Sequence, residues 1–390
     1  MQVRPRARAL SNLFVAALGC AAALGCAATP DYGMGEVDAG PQADASGPQV
    51  DGNNPVAPPA DVLAAGVRWV GRVDTTTPSK PRFSWSGTGF VARFSGTSLD
   101  MQLSVGSAAV IFKTVLDGTP QAPFTATGAT GTYPLAAGLS ADVHTVEVYR
   151  QTEGAQGDSQ LLGLTVGGGG ALMDPPAAPA RLIELIGDSI TCGYGDLGTL
   201  SDGECFTTES HWDTYGAVAG RALGAEVSTI AASGRGVIRN YAGDTGGTMP
   251  MIYAQILANS SAPRWDFHVE PQAVIINLGT NDISNSKGDP GMPFRDTYVS
   301  LLQTVRGNYP HALIVCIIAP LLNGSDLTTI QGHIQAAVAA RNAAGDAQVE
   351  FLSIPPQTSD KYACQYHPNV AENKMMADLV AAELRSKLGW

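Results

Sequence analysis

The sequence predicts two folded units in series, an antiparallel β-sandwich followed by a parallel, three-layer α/β domain. Three observations carry this prediction. Between about Asp61 and Asp174, short runs rich in Val, Phe, Thr and Trp recur every ~8–12 residues, broken by Gly and Pro turns and without helical periodicity. From Arg181 onward, apolar strand-like runs alternate with helical stretches, as strands joined by helical crossovers require. The first of those runs, Ile183-Glu184-Leu185-Ile186, delivers a serine to a glycine-flanked turn, Gly187-Asp188-Ser189. The 390 residues leave room for two such domains and for non-globular segments besides.

Residues 1–26 read as an export signal. Arg4, Arg6 and Arg8 form a basic start, and Leu13 to Leu24 is apolar but too short to span a bilayer. Cys20 and Cys26 each follow a Leu-Gly pair, which resembles a bacterial lipoprotein cleavage site, although leucine stands two rather than three residues before the cysteine. The expected location is therefore outside the cytoplasm, secreted or lipid-anchored at the bacterial envelope through Cys26. Residues 27–60 carry Asp31, Glu36, Asp38, Asp44 and Asp51, no basic residue and many Gly, Pro and Ala, the composition of a disordered tether.

In the sandwich, 61–174, strands are expected at Gly66–Val70, Gly89–Phe94, Leu99–Val105, Val110–Leu116, His144–Tyr149 and Leu161–Val166, with a tight turn at Asp117-Gly118. In the α/β domain, 180–390, five strands are expected at Leu182–Ile186, Val227–Ala231, Ala273–Leu278, Leu313–Ile318 and Val349–Ile354. The helices between and after them are expected at His211–Leu223, Met249–Ala258, Pro293–Asn308, Leu327–Ala344 and Val370–Leu388. In the last helix Met376, Leu379, Val380, Leu384 and Leu388 share one side, as docking on a sheet demands. Ligands of such sheets bind beyond the carboxyl ends of the strands.

Those strand ends carry the chemistry. Ser189 follows the first strand, Ser233-Gly234-Arg235-Gly236 the second and Gly279-Thr280-Asn281-Asp282 the third, while His367-Pro368 precedes the final helix. Acyl transfer needs a hydroxyl nucleophile, an imidazole base and donors aimed at the developing oxyanion. Ser189 and His367 supply the first two, and the N–H groups of Ser189 and Gly234 with the Asn281 amide supply the third. Asp188, adjacent to the nucleophile, reads as a supporting hydrogen-bonding brace. Trp212, Tyr215 and Trp265 offer sugar-stacking faces, although aromatics at such positions more commonly belong to the core. No His-Glu-x-x-His run or clustered Cys/His spacing is present, so neither a metal nor another cofactor is expected. The net charge of −12 argues against a nucleic-acid partner, and 44% hydrophobic content against global disorder.

These blocks, in this order, resemble those of the SGNH/GDSL hydrolase superfamily. The preceding region, with Gly71-Arg72, Phe94-Ser95-Gly96-Thr97-Ser98-Leu99, Asp117-Gly118 and His144-Thr145-Val146, resembles the amino-terminal jelly roll of carbohydrate esterase family 2. The resemblance implies a flavodoxin-like SGNH sheet behind a jelly-roll sandwich. It also implies removal of O-acetyl groups from polysaccharides such as xylan and glucomannan. One departure stands out. The superfamily places its triad aspartate three residues before the histidine, where this chain has Cys364, and the family-2 alternative two residues before is Gln365. Either a backbone carbonyl orients His367, leaving a Ser-His dyad, or another acid such as Asp360 reaches in; the dyad is the favoured reading. In an exported protein the four remaining cysteines suggest disulfides, with Cys192–Cys205 and Cys316–Cys364 the preferred pairs among three connectivities.

The leading expectation is thus a monomeric polysaccharide deacetylase working through an acetyl-serine intermediate. Its rivals are a non-catalytic glycan-binding surface protein, motivated by the missing acid, and an SGNH esterase acting on a lipid or an envelope glycan.

Overall fold

The computed structural model describes residues 66–106, 108–318 and 320–390, so the expected export signal, the expected anchor at Cys26 and the expected acidic tether lie outside the described residues. The described residues belong to one compact unit. Its amino-terminal part holds β1 (Val67–Val70), β2 (Arg82–Phe83), β3 (Gly89–Ser95), β4 (Ser98–Ser104), β5 (Val110–Leu116) and β6 (Thr119–Pro120). The remaining sandwich strands are β7 (Phe124–Ala126), β8 (Gly131–Ala136), β9 (Val143–Arg150), β10 (Ser159–Gly167) and β11 (Ala171–Met173).

One sheet runs β1-β3-β9-β5-β6, with β11 also on β3 and β7 also on β5; the facing sheet runs β2-β10-β4-β8. Alternation along the strands creates the layer between them. Phe90, Ala92 and Phe94 of β3 point inward with Leu99, Met101 and Leu103 of β4 and Val146 and Val148 of β9, all buried. Asp117 and Gly118, both at positive φ, close the β5–β6 hairpin where the turn was expected. Strands β2, β6, β7 and β11 have only two or three residues each, too few to show a period.

The carboxyl-terminal part is an α/β sheet of order β13-β12-β14-β15-β16, all parallel. Its strands are β12 (Arg181–Gly187), β13 (Ala225–Ala231), β14 (Ala273–Asn277), β15 (Leu313–Ile317) and β16 (Val349–Phe351). The helices are α1 (Ser189–Cys192), α2 (Tyr215–Leu223), α3 (Met249–Ile252), α4 (Thr280–Ile283), α5 (Gly291–Asn308), α6 (Gly324–Ala343) and α7 (Val370–Leu388). Successive strand residues pack on opposite faces, which makes three layers. Ile186, Ile276 and Ile314 meet Phe294, Leu302 and Ile334 of α5 and α6; Leu185, Ile275 and Val315 meet Tyr215, Met376, Val380 and Leu384 of α2 and α7.

Two expected helices are shorter than their apolar content suggests. The Met249–Ala258 stretch is helical only to Ile252, because the following carbonyls are diverted: Ala254 O accepts from Trp265 N–H, and Tyr253 O and Gln255 O accept from Arg72. His211–Leu223 is broken at Thr214, whose extended backbone caps α2 and leaves His211–Asp213 as a separate 3₁₀ turn.

The two parts share buried surface. Arg72, in the sandwich, is fully buried and donates to Glu184 Oε2 of β12 at 3.1 Å; Tyr253 and Tyr309 hydroxyls donate to the same carboxylate at 2.7 and 2.9 Å. The guanidinium lies over the Tyr253, Trp265 and Phe267 rings, 5.1–5.5 Å from their centroids.

Candidate active site

The site is assembled at the carboxyl ends of β12, β13 and β14, the place where strand order reverses. Strand β12 ends at Gly187, where a Cβ would stand 2.0 Å from Thr191 Oγ1, so only glycine lets α1 fold back this closely. Asp188 caps α1 by accepting the Ile190 N–H at Oδ1, 3.1 Å away. Ser189 opens that helix. Its Oγ lies 2.8 Å from His367 Nε2.

His367 reaches the serine from the segment between β16 and α7. Its Nδ1 donates to the backbone carbonyl of Cys364 at 3.2 Å, and since a carbonyl only accepts, Nε2 is the unprotonated nitrogen facing the serine. Burial pulls the imidazole pKa down to about 4, against the opposing pull of its bonds to the Cys364 and Gln365 backbone. The ring is therefore neutral at neutral pH. Tyr194 sets its ring against the imidazole with centroids 5.0 Å apart. Asp360 is exposed, takes its hydrogen bond from Thr358 and sits beside Lys361, so it does not orient His367.

Gly234, at φ +75°, forms the turn after β13. Its carbonyl accepts the Tyr241 N–H at 2.8 Å, while the N–H groups of Gly234 and Ser189 find no acceptor among the described residues. Asn281, on α4, donates from Nδ2 to Asp188 Oδ2 at 3.1 Å and to the Arg235 carbonyl at 2.9 Å, bracing the first and second strand ends together. Asp188 thereby links α1 to Asn281. Burial lifts its carboxyl to about 7 despite the bond from Ile190 N–H, and the charge of Asp282 adds to the rise.

Sequence reasoning did not single out Asp282 for a role of its own. Its carboxylate accepts the N–H groups of Val237, Ile238 and Arg239 at 2.9, 2.9 and 3.2 Å, fixing the chain just beyond the Gly234 turn. Glu153 of the sandwich was also passed over; it accepts the Ser233 N–H at 2.7 Å. Two exposed aromatics complete the surroundings. Tyr366 stands beside His367, and Tyr241 has its Cβ 3.7 Å from the Cβ position of Gly234.

The expected disulfides are corrected. The bond joins Cys205 to Cys364, with Cα atoms 5.6 Å apart, whereas Cys192 and Cys316 are free and buried. Cys205 and Cys364 both pack on the backbone of Gly195, which brings the loop after α1 against the segment before His367. Cys192 instead lies inside α1, and Cys316 points from β15 into the core under α5. The aromatic candidates also fall elsewhere. Tyr215 is fully buried with its hydroxyl 2.9 Å from Thr191 Oγ1, Trp212 lies under Arg221, and Trp265 packs on Arg72. Glu153, Cys192 and Glu209 form a buried group of metal-capable side chains among the described residues. One oxygen of each carboxylate is already used by a backbone N–H, from Ser233 and from Glu153 respectively.

Comparison with known proteins agrees with this architecture. The family described as Carbohydrate esterase 2 N-terminal matches residues 69–176, and the GDSL-like Lipase/Acylhydrolase family matches 185–374. A Cellulase/esterase CelE of Acetivibrio thermocellus is 37% identical over 83% of this chain, which spans 40% of that protein's length. An Acetylxylan esterase / glucomannan deacetylase of Cellvibrio japonicus is 25% identical, with 83% of this chain and 89% of that protein covered. The solved structure of a family two carbohydrate esterase from Clostridium thermocellum, in complex with cellohexaose, superposes with a TM-score of 0.80 at 36% identity, covering 83% of this chain and 99% of that one. With a sandwich matched to one half of that architecture, an SGNH sheet to the other, and a near-complete structural counterpart, the chain belongs to carbohydrate esterase family 2.

Proposed function

We propose that this chain is a serine esterase that removes O-acetyl groups from polysaccharides of the xylan and glucomannan type. The observation that carries the reading is the 2.8 Å contact between Ser189 Oγ and a neutral His367 Nε2 at the strand ends. Ser189 attacks the acetyl carbonyl carbon while His367 takes the hydroxyl proton. The developing oxyanion is received by the N–H groups of Ser189 and Gly234, and by Asn281 once it exchanges its 3.1 Å bond to Asp188. Collapse expels the sugar hydroxyl, protonated by His367, and leaves acetyl-serine. Water, deprotonated by the same imidazole, then releases acetate.

A dyad suffices in this scheme because the Cys364 carbonyl fixes the tautomer; being neutral, it stabilises the imidazolium less than a carboxylate would. The exposed rings of Tyr241, near Gly234, and Tyr366, next to His367, are apolar faces on which sugar rings would stack. The polysaccharide class follows from the relatives' names, acetylxylan esterase and glucomannan deacetylase. We also assign the chain an extracytoplasmic location as a monomer, freely secreted or held at Cys26. Among the described residues no helix is long and apolar enough to cross a membrane.

The test is turnover of a chromogenic acetyl ester by wild type and Ser189→Ala, followed by a panel of acetylated xylan, acetylated glucomannan and longer-chain esters. Equal turnover by the two proteins refutes the mechanism. Preference for longer chains redirects the substrate to lipids. Glycan binding without turnover favours the non-catalytic alternative, which the missing triad acid motivates.

A further inference from the structure

The loop after β9 carries a carboxylate out of the sandwich and into the α/β domain. Its shape is held by Arg150, fully buried, which donates to Thr152 O at 2.7 Å, Glu153 O at 2.8 Å and Ser159 Oγ at 2.9 Å. The α/β domain grips the same loop from outside. Asn259 Nδ2 donates to Gly154 O at 2.6 Å, and Glu209 Oε1 accepts the Glu153 N–H at 2.9 Å. So placed, the buried Glu153 side chain presents Oε2 to the Ser233 N–H at 2.7 Å.

Ser233 directly precedes Gly234, and the two N–H groups sit on consecutive peptide planes. The Gly234 N–H finds no acceptor among the described residues, so its direction is set by what anchors the planes around it. Three anchors hold the turn: the Arg235 N–H on the Ala232 carbonyl across it at 3.3 Å, the Tyr241 N–H on the Gly234 carbonyl from beyond it, and Glu153 on the Ser233 N–H from before it. Only the last, and the shortest, comes from the sandwich. An oxyanion donor is worth its full effect only when held in place before the charge develops, and a shift of about 1 Å is enough to cost ~100-fold in rate.

We propose that Glu153 is a positioning residue for the reaction: the sandwich contributes it to hold the Ser233-Gly234 turn so that the Gly234 N–H meets the oxyanion. This rests on the esterase reading above. The sandwich is then part of the catalytic apparatus, acting through the backbone of its neighbour.

The test compares full-length Glu153→Ala, Glu153→Gln and Glu153→Asp with wild type on a chromogenic acetate, with melting temperature as a control. Alanine is expected to lower kcat by at least about tenfold with KM changed less than about threefold, and glutamine, which keeps an acceptor at the same reach, to recover most of that loss. Full kcat in the alanine variant, or a change confined to KM, overturns the proposal. Where alanine fails to fold, the other two decide. Aspartate keeps the charge but withdraws the carboxylate by one methylene, so kcat should run glutamine above aspartate; the reverse or equal order overturns the proposal. Turnover by wild type no greater than by Ser189→Ala would overturn the esterase reading, and this inference with it; an active wild type beside a fully active alanine variant overturns this inference alone.

Discussion

The backbone carbonyl of Cys364 stands 3.2 Å from His367 Nδ1, and the side chain of the same cysteine is bonded to Cys205. The residue occupying the place of the superfamily's aspartate thus orients the base through its main chain, while its sulfur ties that main chain to the loop following the nucleophile. Cys364 N–H also donates to Gly195 O at 3.2 Å, so the segment is anchored by covalent and hydrogen bonds together.

Removing that tie should loosen the carbonyl and with it the imidazole. The double substitution Cys205→Ser, Cys364→Ser is expected to cost about 2–5 kcal/mol of stability. At temperatures where it is folded, kcat should fall roughly tenfold with little change in KM, because the base remains and only its orientation suffers. Thermal denaturation and steady-state kinetics on an acetyl ester check both. Unchanged kcat would leave the disulfide a purely stabilising feature.

Cysteine chemistry gives an independent reading of the same connectivity. Alkylation under native conditions followed by peptide mapping should find Cys192 and Cys316 unmodified, because both thiols are buried and burial pushes both pKa values up. After unfolding without reductant, both should label, and the peptides containing Cys205 and Cys364 should remain joined. A Cys316–Cys364 peptide would contradict the fold of this segment.

Ser189→Ala and His367→Ala should each lower kcat by at least about 10⁴-fold, and the double variant should be no worse than the poorer single one, since the two act as a unit. Asp360→Asn should change kcat less than about twofold, because the carboxylate is exposed and engaged with Thr358. A large loss there would restore a triad.

The pH profile follows from the lowered His367 pKa. The base works only when neutral, so activity is present above the folded-state pKa and is lost as pH falls through it. With that value pulled to about 4 by burial, titration of the base should contribute no change in kcat/KM between about pH 8 and pH 6, where Asp188, lifted to about 7, is the site group that titrates. Its acid limb should lie well below the ~6.5 of an unperturbed imidazole. Reassay at neutral pH after acid exposure separates titration from unfolding. A limb centred near ~6.5 that persists in Asp188→Asn would mean that the imidazole is better solvated than the structure shows.

The strand ends were legible in the sequence because each announces itself with side chains: Ser189 after an apolar run, a glycine where the chain turns at 234, Asn281 after the third strand, His367 before a helix. The sheet was legible because parallel strands buried on both faces read as continuous apolar runs, as in Ala273–Asn277. What escaped depends on loops meeting in space. The pairing of Cys205 with Cys364 is set by both packing on Gly195, 159 residues apart though they are in sequence. Main-chain roles leave no signature of their own: the absence of an acid before His367 pointed to a backbone carbonyl but not to which residue bears it, and the Ser233 N–H that Glu153 holds is common to all residues but proline. The truncation of the Met249 helix likewise came from Arg72, far away in the chain.

That arginine has a consequence for how the protein comes apart. Glu184 lies in β12, an interior strand of the hydrolase sheet, and its only cationic partner within salt-bridge distance, among the described residues, is borne by the sandwich. Cutting the chain between β11 and β12 would strand that carboxylate without a counter-ion, and breaking a buried pair by removing one partner costs about 3–5 kcal/mol. The two lobes should therefore melt in a single cooperative transition. Neither should survive transplantation as an interchangeable module.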